Sequence, residues 1–120
     1  MNQDRGSYDL RRRDYALRIL RICANLSSTP EAQAIRRQLN RSGTSPGSHC
    51  REACRARSTA EFTSKMNGGL QELDESAYWL EILTYSKIYD TPETRELSAE
   101  TEELIKIYVT CIKNAKDRQP

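Results

Sequence analysis

Apolar residues recur every three or four positions along most of the chain, the spacing that places side chains on one face of an α-helix. In the first such segment the apolar face consists of Tyr8, Tyr15, Ile19, Ile22, Cys23 and Leu26. Ser7 or Asp9 can cap its start, and Pro30 biases the residue before it away from helical geometry. The pattern predicts a first helix over residues 8–28.

The second apolar stripe starts at a Thr-Pro-Glu sequence, in which Thr29 can cap a helix and Pro30 suits its first turn. The string Gly43-Thr44-Ser45-Pro46-Gly47 interrupts the stripe, yet helical spacing resumes directly after it. A loop and a kinked continuous helix both fit this string. We favour one helix over residues 30–56 with a kink near Gly43–Gly47.

The third helix has the clearest start signal. Ser58 and Glu61 have the spacing of a capping box, in which each side chain accepts a hydrogen bond from the other residue's backbone N–H. The apolar pattern that follows predicts a helix over residues 59–89, and Gly68-Gly69 in its middle favours the close approach of a neighbouring helix. A second Thr-Pro-Glu sequence then opens a fourth helix, predicted over residues 92–116.

Four helices with short connections in 120 residues predict an all-α fold, an antiparallel up-down four-helix bundle that forms a single domain over residues 1–120. The longest apolar runs span three or four residues, so neither a membrane-spanning helix nor a secretory leader is predicted. The four cysteines follow no secreted disulfide pattern and indicate reduced thiols in a cytoplasmic protein. Six tyrosines and one tryptophan exceed what so small a core needs, which predicts that some are exposed.

The charge is divided unevenly along the chain. Residues 1–60 hold twelve arginines, no lysine and five acidic residues, a net charge of +7, whereas residues 61–120 hold seven basic and twelve acidic residues, a net charge of −5. Arginine binds carboxylate and phosphate groups in a bidentate manner, so the basic half can pair with the acidic half or face nucleic acid. The candidate nucleic-acid contacts are Arg11, Arg12, Arg13, Arg36, Arg37, Arg41, Arg51, Arg55 and Arg57.

Enzymatic chemistry has little support in the residue pattern. The Glu-x-x-His pairs of di-iron bundles are missing, and a zinc site from His49, Cys50 and Cys54 lacks a fourth ligand. His49 and Cys50 cannot act as a catalytic dyad on one helix, because adjacent helical residues point about 100° apart. The sequence predicts a protein without catalytic residues, metal or cofactor, and hence not an enzyme.

Two strings carry a family resemblance, GTSPGSHCREACRARS at residues 43–58 and EFTSKMNGGLQELDESAYWLEIL at residues 61–83. They resemble the four-helix-bundle proteins encoded in intervening sequences of large-subunit ribosomal RNA genes, also labelled S23 ribosomal proteins. Relatives of that family include the accessory variability proteins of diversity-generating retroelements. This chain departs from the family pattern at Pro46, His49 and Gly68-Gly69, where isoleucine, asparagine and larger residues are usual.

The resemblance implies an antiparallel bundle that assembles into a homo-oligomer, a pentameric ring, and has no catalytic site. It also implies RNA or DNA and a reverse transcriptase as partners. Two hypotheses follow from the residues and the resemblance together. The chain is either a non-catalytic adaptor that binds nucleic acid or a nucleoprotein through its arginines, or a protein–protein scaffold whose arginines serve subunit contacts.

Four further residues match polar positions of the family pattern, namely Glu52, Lys65, Glu72 and Glu75. We expect them to form an ionic network with Arg51 or Arg55, inside or beside the bundle. In that arrangement Glu52→Ala would lower the stability, because it would leave a partner charge unpaired.

Overall fold

The computed structural model describes the backbone of residues 2–118 and the side chains from residue 9 onward, so the predicted role of Tyr8 lies outside the described side chains. Within this part of the chain every regular element is helical. The helices are α1 (Asn2–Asn25), α2 (Pro30–Thr44), α3 (Pro46–Cys54), α4 (Thr59–Tyr85) and α5 (Pro92–Asp117). They pack as a four-helix bundle of 52 × 24 × 19 Å, in which α2 and α3 together form the second helix.

The predicted kink in the second helix is confirmed and lies at Ser45. Ser45 keeps right-handed helical geometry, and its carbonyl accepts the N–H of His49 at 3.0 Å, so the helical path continues through the break. Pro46 begins α3 and has no N–H to donate to the preceding turn. The result is a helix bent by 20°.

The bend is held by contacts with the other helices. The hydroxyl of Tyr108 on α5 donates a hydrogen bond to the Pro46 carbonyl at 2.7 Å. A Cβ atom added to Gly69 on α4 would lie 2.8 Å from the Tyr108 ring and 3.3 Å from the Pro46 carbonyl oxygen. The expected use of Gly69, close approach between helices, is therefore confirmed, and α3, α4 and α5 meet at this point.

The departures from the family pattern lie together in space. A Cβ atom on Gly68 would lie 3.0 Å from two atoms of the His49 ring, and one on Gly69 would lie 3.2 Å from the His49 Cβ. The imidazole thus occupies the space that a side chain on α4 would otherwise fill. Its Nδ1 is buried without a hydrogen-bond partner. Pro46, His49 and the glycine pair form one packing unit at the bend.

Three of the four predicted helix starts are confirmed. Thr29, Ser58 and Thr91 have extended backbones, and each side chain accepts a backbone N–H three residues later. The second half of the predicted capping box is wrong, since the Glu61 carboxylate accepts the Arg57 N–H at 3.3 Å instead of that of Ser58.

The first and third predicted helices have wrong bounds. The first starts at Asn2 and ends at Asn25, where residues 8–28 were expected, so the proposed caps lie inside it. The third ends at Tyr85, four residues early, because Lys87 adopts a left-handed conformation with φ 67°. The second ends at Cys54 and the fourth at Asp117, within two residues of prediction.

The core is apolar apart from a few paired hydroxyls. Its fully buried side chains come from all four long helices and include Ile19, Leu39, Leu73, Leu80 and Leu104. Ser42 and Ser76 share a hydrogen bond of 2.8 Å between α2 and α4, and Tyr15 and Thr101 share one of 2.7 Å between α1 and α5. Because both partners are buried together, neither pair leaves an unsatisfied polar atom. No helix in the described part of the chain is long and apolar enough to cross a bilayer.

Gly43 allows α1 and α2 to approach most closely, which gives a direct test of the packing. A Cβ atom there would lie 2.7–2.8 Å from three atoms of the buried Ile19 side chain. We expect Gly43→Ala to lower the free energy of unfolding by about 1–3 kcal/mol, the usual cost of overpacking. Urea titration monitored by circular dichroism measures this change.

The matched control is Gly47→Ala, whose Cβ would make only an ordinary 3.4 Å contact with the Cβ of Arg12. This change should be neutral or stabilising by up to about 1 kcal/mol, because alanine favours the helix. Equal effects of the two substitutions would contradict the close approach at Gly43.

Buried acids of high pKa predict a loss of stability at alkaline pH. Burial raises the pKa of the Cys23 and Cys50 thiols to about 11 and that of Tyr15 to about 12. The unfolded chain releases these protons near pH 9 for cysteine and 10 for tyrosine, so the native state then binds more protons. The contribution of these groups to the free energy of unfolding is complete below pH 9 and is lost as the pH rises through 11–12.

Urea midpoints measured from pH 8 to pH 12 should therefore fall steadily above about pH 9. In Cys23→Ala/Cys50→Ala the midpoint should start lower and decline less steeply, because two of the titrating groups are gone. A midpoint that stays constant up to pH 12 would contradict the burial of these groups.

Candidate nucleic-acid interface

The arginines of the basic half have different structural roles, and Arg36 serves the fold. Its Nε donates to the Cys23 carbonyl at 2.9 Å, and its Nη2 donates to the carbonyls of Leu26 and Ser27 at 2.6 and 3.0 Å. These carbonyls lie at the carboxyl end of α1, where a helix has unpaired acceptors and the negative end of its dipole. Arg36 is therefore the C-terminal cap of α1, which also explains why α1 ends before residue 28.

The neighbouring Arg37 provides a matched control for this role, because it is exposed and its side chain has no described hydrogen bond or ion pair. We expect Arg36→Ala to reduce the free energy of unfolding by about 1.5–3 kcal/mol, the contribution of hydrogen bonds from a charged donor. Arg37→Ala should change it by less than about 0.5 kcal/mol. Chemical denaturation of both variants checks the assignment, and similar losses would refute the capping role.

Two more of the predicted contacts bind carboxylates of the acidic half. Arg11 on α1 donates its Nε and Nη2 to the Glu100 carboxylate on α5 at 2.6 and 2.7 Å, a bidentate pair. Arg41 on α2 binds Glu72 at 3.0 Å and also Glu75, both on α4. The basic half therefore does pair in part with the acidic half, within one protomer.

The predicted polar network exists in a different arrangement. Glu72 and Glu75 pair with Arg41, whereas Glu52 pairs separately with Lys65 at 3.3 Å. No described ion pair involves Arg51 or Arg55, so the expectation that they complete the network is wrong. The Glu52 and Lys65 side chains are 52% and 43% exposed, and such a pair contributes at most about 1 kcal/mol. The expected cost of Glu52→Ala in stability is therefore small.

Four of the other predicted contacts line a common depression between α1 and α3, which we call the arginine groove and define by Arg12, Arg13, Arg51 and Arg55. It consists of two adjoining cavities of about 430 and 340 Å³. Arg13, Arg51 and Arg55 are exposed, and their side chains have no described hydrogen bond or ion pair. Arg51 and Arg55 are one helical turn apart and face α1 together.

Arg12 forms the floor of the arginine groove and is only 8% exposed. Its Nη2 lies 3.3 Å from an Asp9 carboxylate oxygen, which is longer than usual for a charged hydrogen bond. Its Nε is buried and has no partner. The acidic side chains that line the groove are Asp9 and Glu52, and Glu52 is already paired with Lys65. Positive charge therefore dominates the groove.

Arg37 and Arg57 do not line the groove. Arg37 is exposed on α2. Arg57 is exposed in the turn after α3, where its backbone N–H donates a hydrogen bond to the Glu61 carboxylate. Of the nine predicted contacts, the structure thus brings together four and places Arg11, Arg36 and Arg41 in intramolecular roles. Ala16, Thr44, Gly47 and Ser48 complete the wall of the larger cavity, and they carried no functional signal in the sequence.

Two thiols near the groove, Cys50 and Cys111, are not activated. Burial raises the pKa of Cys50 to about 11, and the nearby positive charge of Arg12 opposes this only in part. Burial likewise raises the pKa of Cys111. Both groups are neutral thiols at pH 7, when a nucleophilic cysteine must be a thiolate. Among the described residues, no three histidine, cysteine or acidic side chains are grouped so that they could hold a metal ion.

The fold and the site define a small four-helix bundle with a bent second helix and a basic groove beside the bend. Residues 11–110 match the family model of the 23S rRNA-intervening sequence protein, and the chain belongs to that family. It is also similar to a crystal structure of a protein of unknown function from the S23 ribosomal protein family of Bacteroides thetaiotaomicron. The two share 30% identity over 88% of this chain and 97% of that chain, with a TM-score of 0.81. No curated protein matches the chain in sequence.

Proposed function

We propose that this protein is a non-catalytic, ring-forming adaptor that binds nucleic acid through the arginine groove. The observation that carries the proposal is that Arg13, Arg51 and Arg55 are exposed and have no intramolecular acid partner among the described residues. Guanidinium groups at one-turn spacing suit phosphate groups, which carry no sequence information. Binding is therefore by charge and shape, with weak dependence on nucleotide sequence.

Exposed apolar side chains support the ring. Leu10, Leu17 and Leu20 on α1 are 55%, 51% and 46% exposed, and Tyr85 at the end of α4 is 78% exposed. Apolar and aromatic surface of this kind is typical of subunit contacts. The expected exposure of some tyrosines is thus confirmed, and the pentamer implied by the family resemblance gives these side chains a place. A ring would present several arginine grooves to one nucleic acid and multiply weak contacts.

A partner protein fits the same surfaces. A reverse transcriptase, or another protein that holds RNA or DNA, is the partner class that the family resemblance suggests. In the alternative function the chain is a protein–protein scaffold, the exposed leucines bind that partner, and the arginine groove faces acidic residues of a neighbouring subunit. The two functions differ in whether the purified protein binds nucleic acid on its own.

Charge reversal in the groove tests the proposal. We expect Arg51→Glu/Arg55→Glu to weaken binding to a fluorescent structured RNA and to a DNA duplex by about tenfold or more, as for the loss of charge-assisted hydrogen bonds. The matched control is Arg21→Glu/Arg37→Glu, which makes the same change of charge at two exposed arginines outside the groove. Fluorescence anisotropy at fixed salt measures both, and thermal melts verify the fold.

Equal weakening by the two double variants would mean that only net charge matters, and the groove assignment would be wrong. If the wild-type protein binds neither RNA nor DNA at low salt, the nucleic-acid function fails. In that case, an oligomer that dissociates in Arg51→Glu/Arg55→Glu but not in the control would support the scaffold.

A further inference from the structure

The floor of the arginine groove differs from an ordinary basic surface. A surface that follows a nucleic-acid backbone needs exposed arginines, yet Arg12 is nine-tenths buried beneath the other three. Burial of a guanidinium is costly unless its donors are satisfied. Arg12 has one long contact with Asp9 and a buried Nε without a partner. An anion in the cavity would supply the hydrogen-bond acceptor that the Arg12 Nε lacks.

We propose that the arginine groove is a receptor for a single phosphate monoester group, with Arg12, Arg51 and Arg55 as its ligands. The inference rests on the proposed function, because it names the part of the nucleic acid that enters the groove, namely a phosphorylated end. Free inorganic phosphate shares this chemistry and is the second possible source of the group.

The charge of the groove matches a monoester better than an internal phosphodiester. Four guanidinium groups face the carboxylate of Asp9 and that of Glu52, which Lys65 already neutralises. The excess is therefore at least two positive charges. A phosphate monoester carries about −1.5 to −2 at pH 7, whereas each backbone phosphodiester carries a single negative charge. One monoester group therefore offsets more of this excess charge than one phosphodiester group does.

The shape of the groove also favours a phosphate monoester. The two cavities lie between α1 and α3, and both are lined by Asp9, Arg12, Arg51 and Arg55. A terminal phosphate has one ester substituent and can enter such a depression end-on. An internal phosphate has two substituents, and the chain must continue in both directions across Arg12. The bidentate geometry of arginine then suits the three free oxygens of the terminal group.

Asp9 is the residue that the ligand would displace. Its side chain is 50% exposed and contacts Arg12 through one bond of 3.3 Å, so the contact is easily exchanged. In the absence of ligand, Asp9 partly neutralises the floor of the groove. We therefore expect Asp9→Asn to strengthen phosphate binding, because a competing carboxylate is removed and the volume of the side chain is kept.

The test compares single-stranded octanucleotides of one sequence that carry a 5′-phosphate, a 3′-phosphate or hydroxyls at both ends, together with inorganic phosphate as a competitor. We expect a phosphorylated strand to bind about tenfold more tightly than the hydroxyl strand. Arg51→Gln/Arg55→Gln should reduce this preference to less than about twofold, whereas the control Arg21→Gln/Arg37→Gln should keep it. Arg12→Gln should also abolish it where circular dichroism shows the variant to be folded.

Each outcome separates the two proposals. Equal binding of all three strands overturns the monoester receptor and leaves nucleic-acid binding by the groove intact. Displacement of the phosphorylated strand by millimolar inorganic phosphate, but not by chloride of equal ionic strength, supports the receptor and identifies free phosphate as a competing source. Binding of inorganic phosphate without binding of any strand supports the receptor and refutes the nucleic-acid function. Loss of the end preference in the control as well would overturn the assignment of residues.

Discussion

The arrangement of this bundle depends on the hydrogen bond from the Tyr108 hydroxyl to the carbonyl of Pro46. Pro46 marks the break in the second helix, and the bond fixes α3 against α5 at that break. Gly69 lets both groups approach α4 closely, and the imidazole of His49 fills the adjoining space over Gly68. Burial raises the pKa of Tyr108 far above its ordinary value, so the hydroxyl remains a donor. The orientation of α3, and with it that of Arg51 and Arg55, follows from this junction.

The bend determines which arginines meet. Arg41, before the break, pairs with acidic residues of α4. Arg51 and Arg55, after the break, lie beside α1 and form a groove with Arg12 and Arg13. The arginines of the basic half thus have two different arrangements in the structure. Part of the basic half stabilises the bundle against the acidic half, and four other arginines line one groove.

Much of the fold is predictable because its signals are local. Apolar periodicity, the Thr-Pro-Glu starts and the glycine and proline residues at the bend each act within a few residues, and each is confirmed. The ends of the first and third helices were not predictable in the same way. One depends on Arg36, which reaches back from α2, and the other on a left-handed lysine, a conformation that residue type does not favour.

The roles of the arginines could not be read from the sequence, because they depend on tertiary partners. Arg36 and Arg37 are adjacent and chemically identical, yet one caps α1 and the other is exposed. The partners of the acidic residues were equally unpredictable, since Glu75 forms an ion pair with Arg41 and not with an arginine of α3. Composition predicted a basic surface. Only the packing of α1 against α3 shows that four arginines form that surface together.

The salt dependence of binding to a short oligonucleotide tests this division most directly. An octanucleotide is short enough to occupy a single groove, so the slope of log affinity against log salt concentration counts the phosphates that one protomer engages. With three exposed arginines the account predicts a slope of about −2, from ~0.7 per phosphate on a single strand. A slope near −5, from all seven phosphates of the octanucleotide at ~0.7 each, would mean that arginines outside the groove also contact nucleic acid. A slope near zero would show that the groove does not bind phosphate.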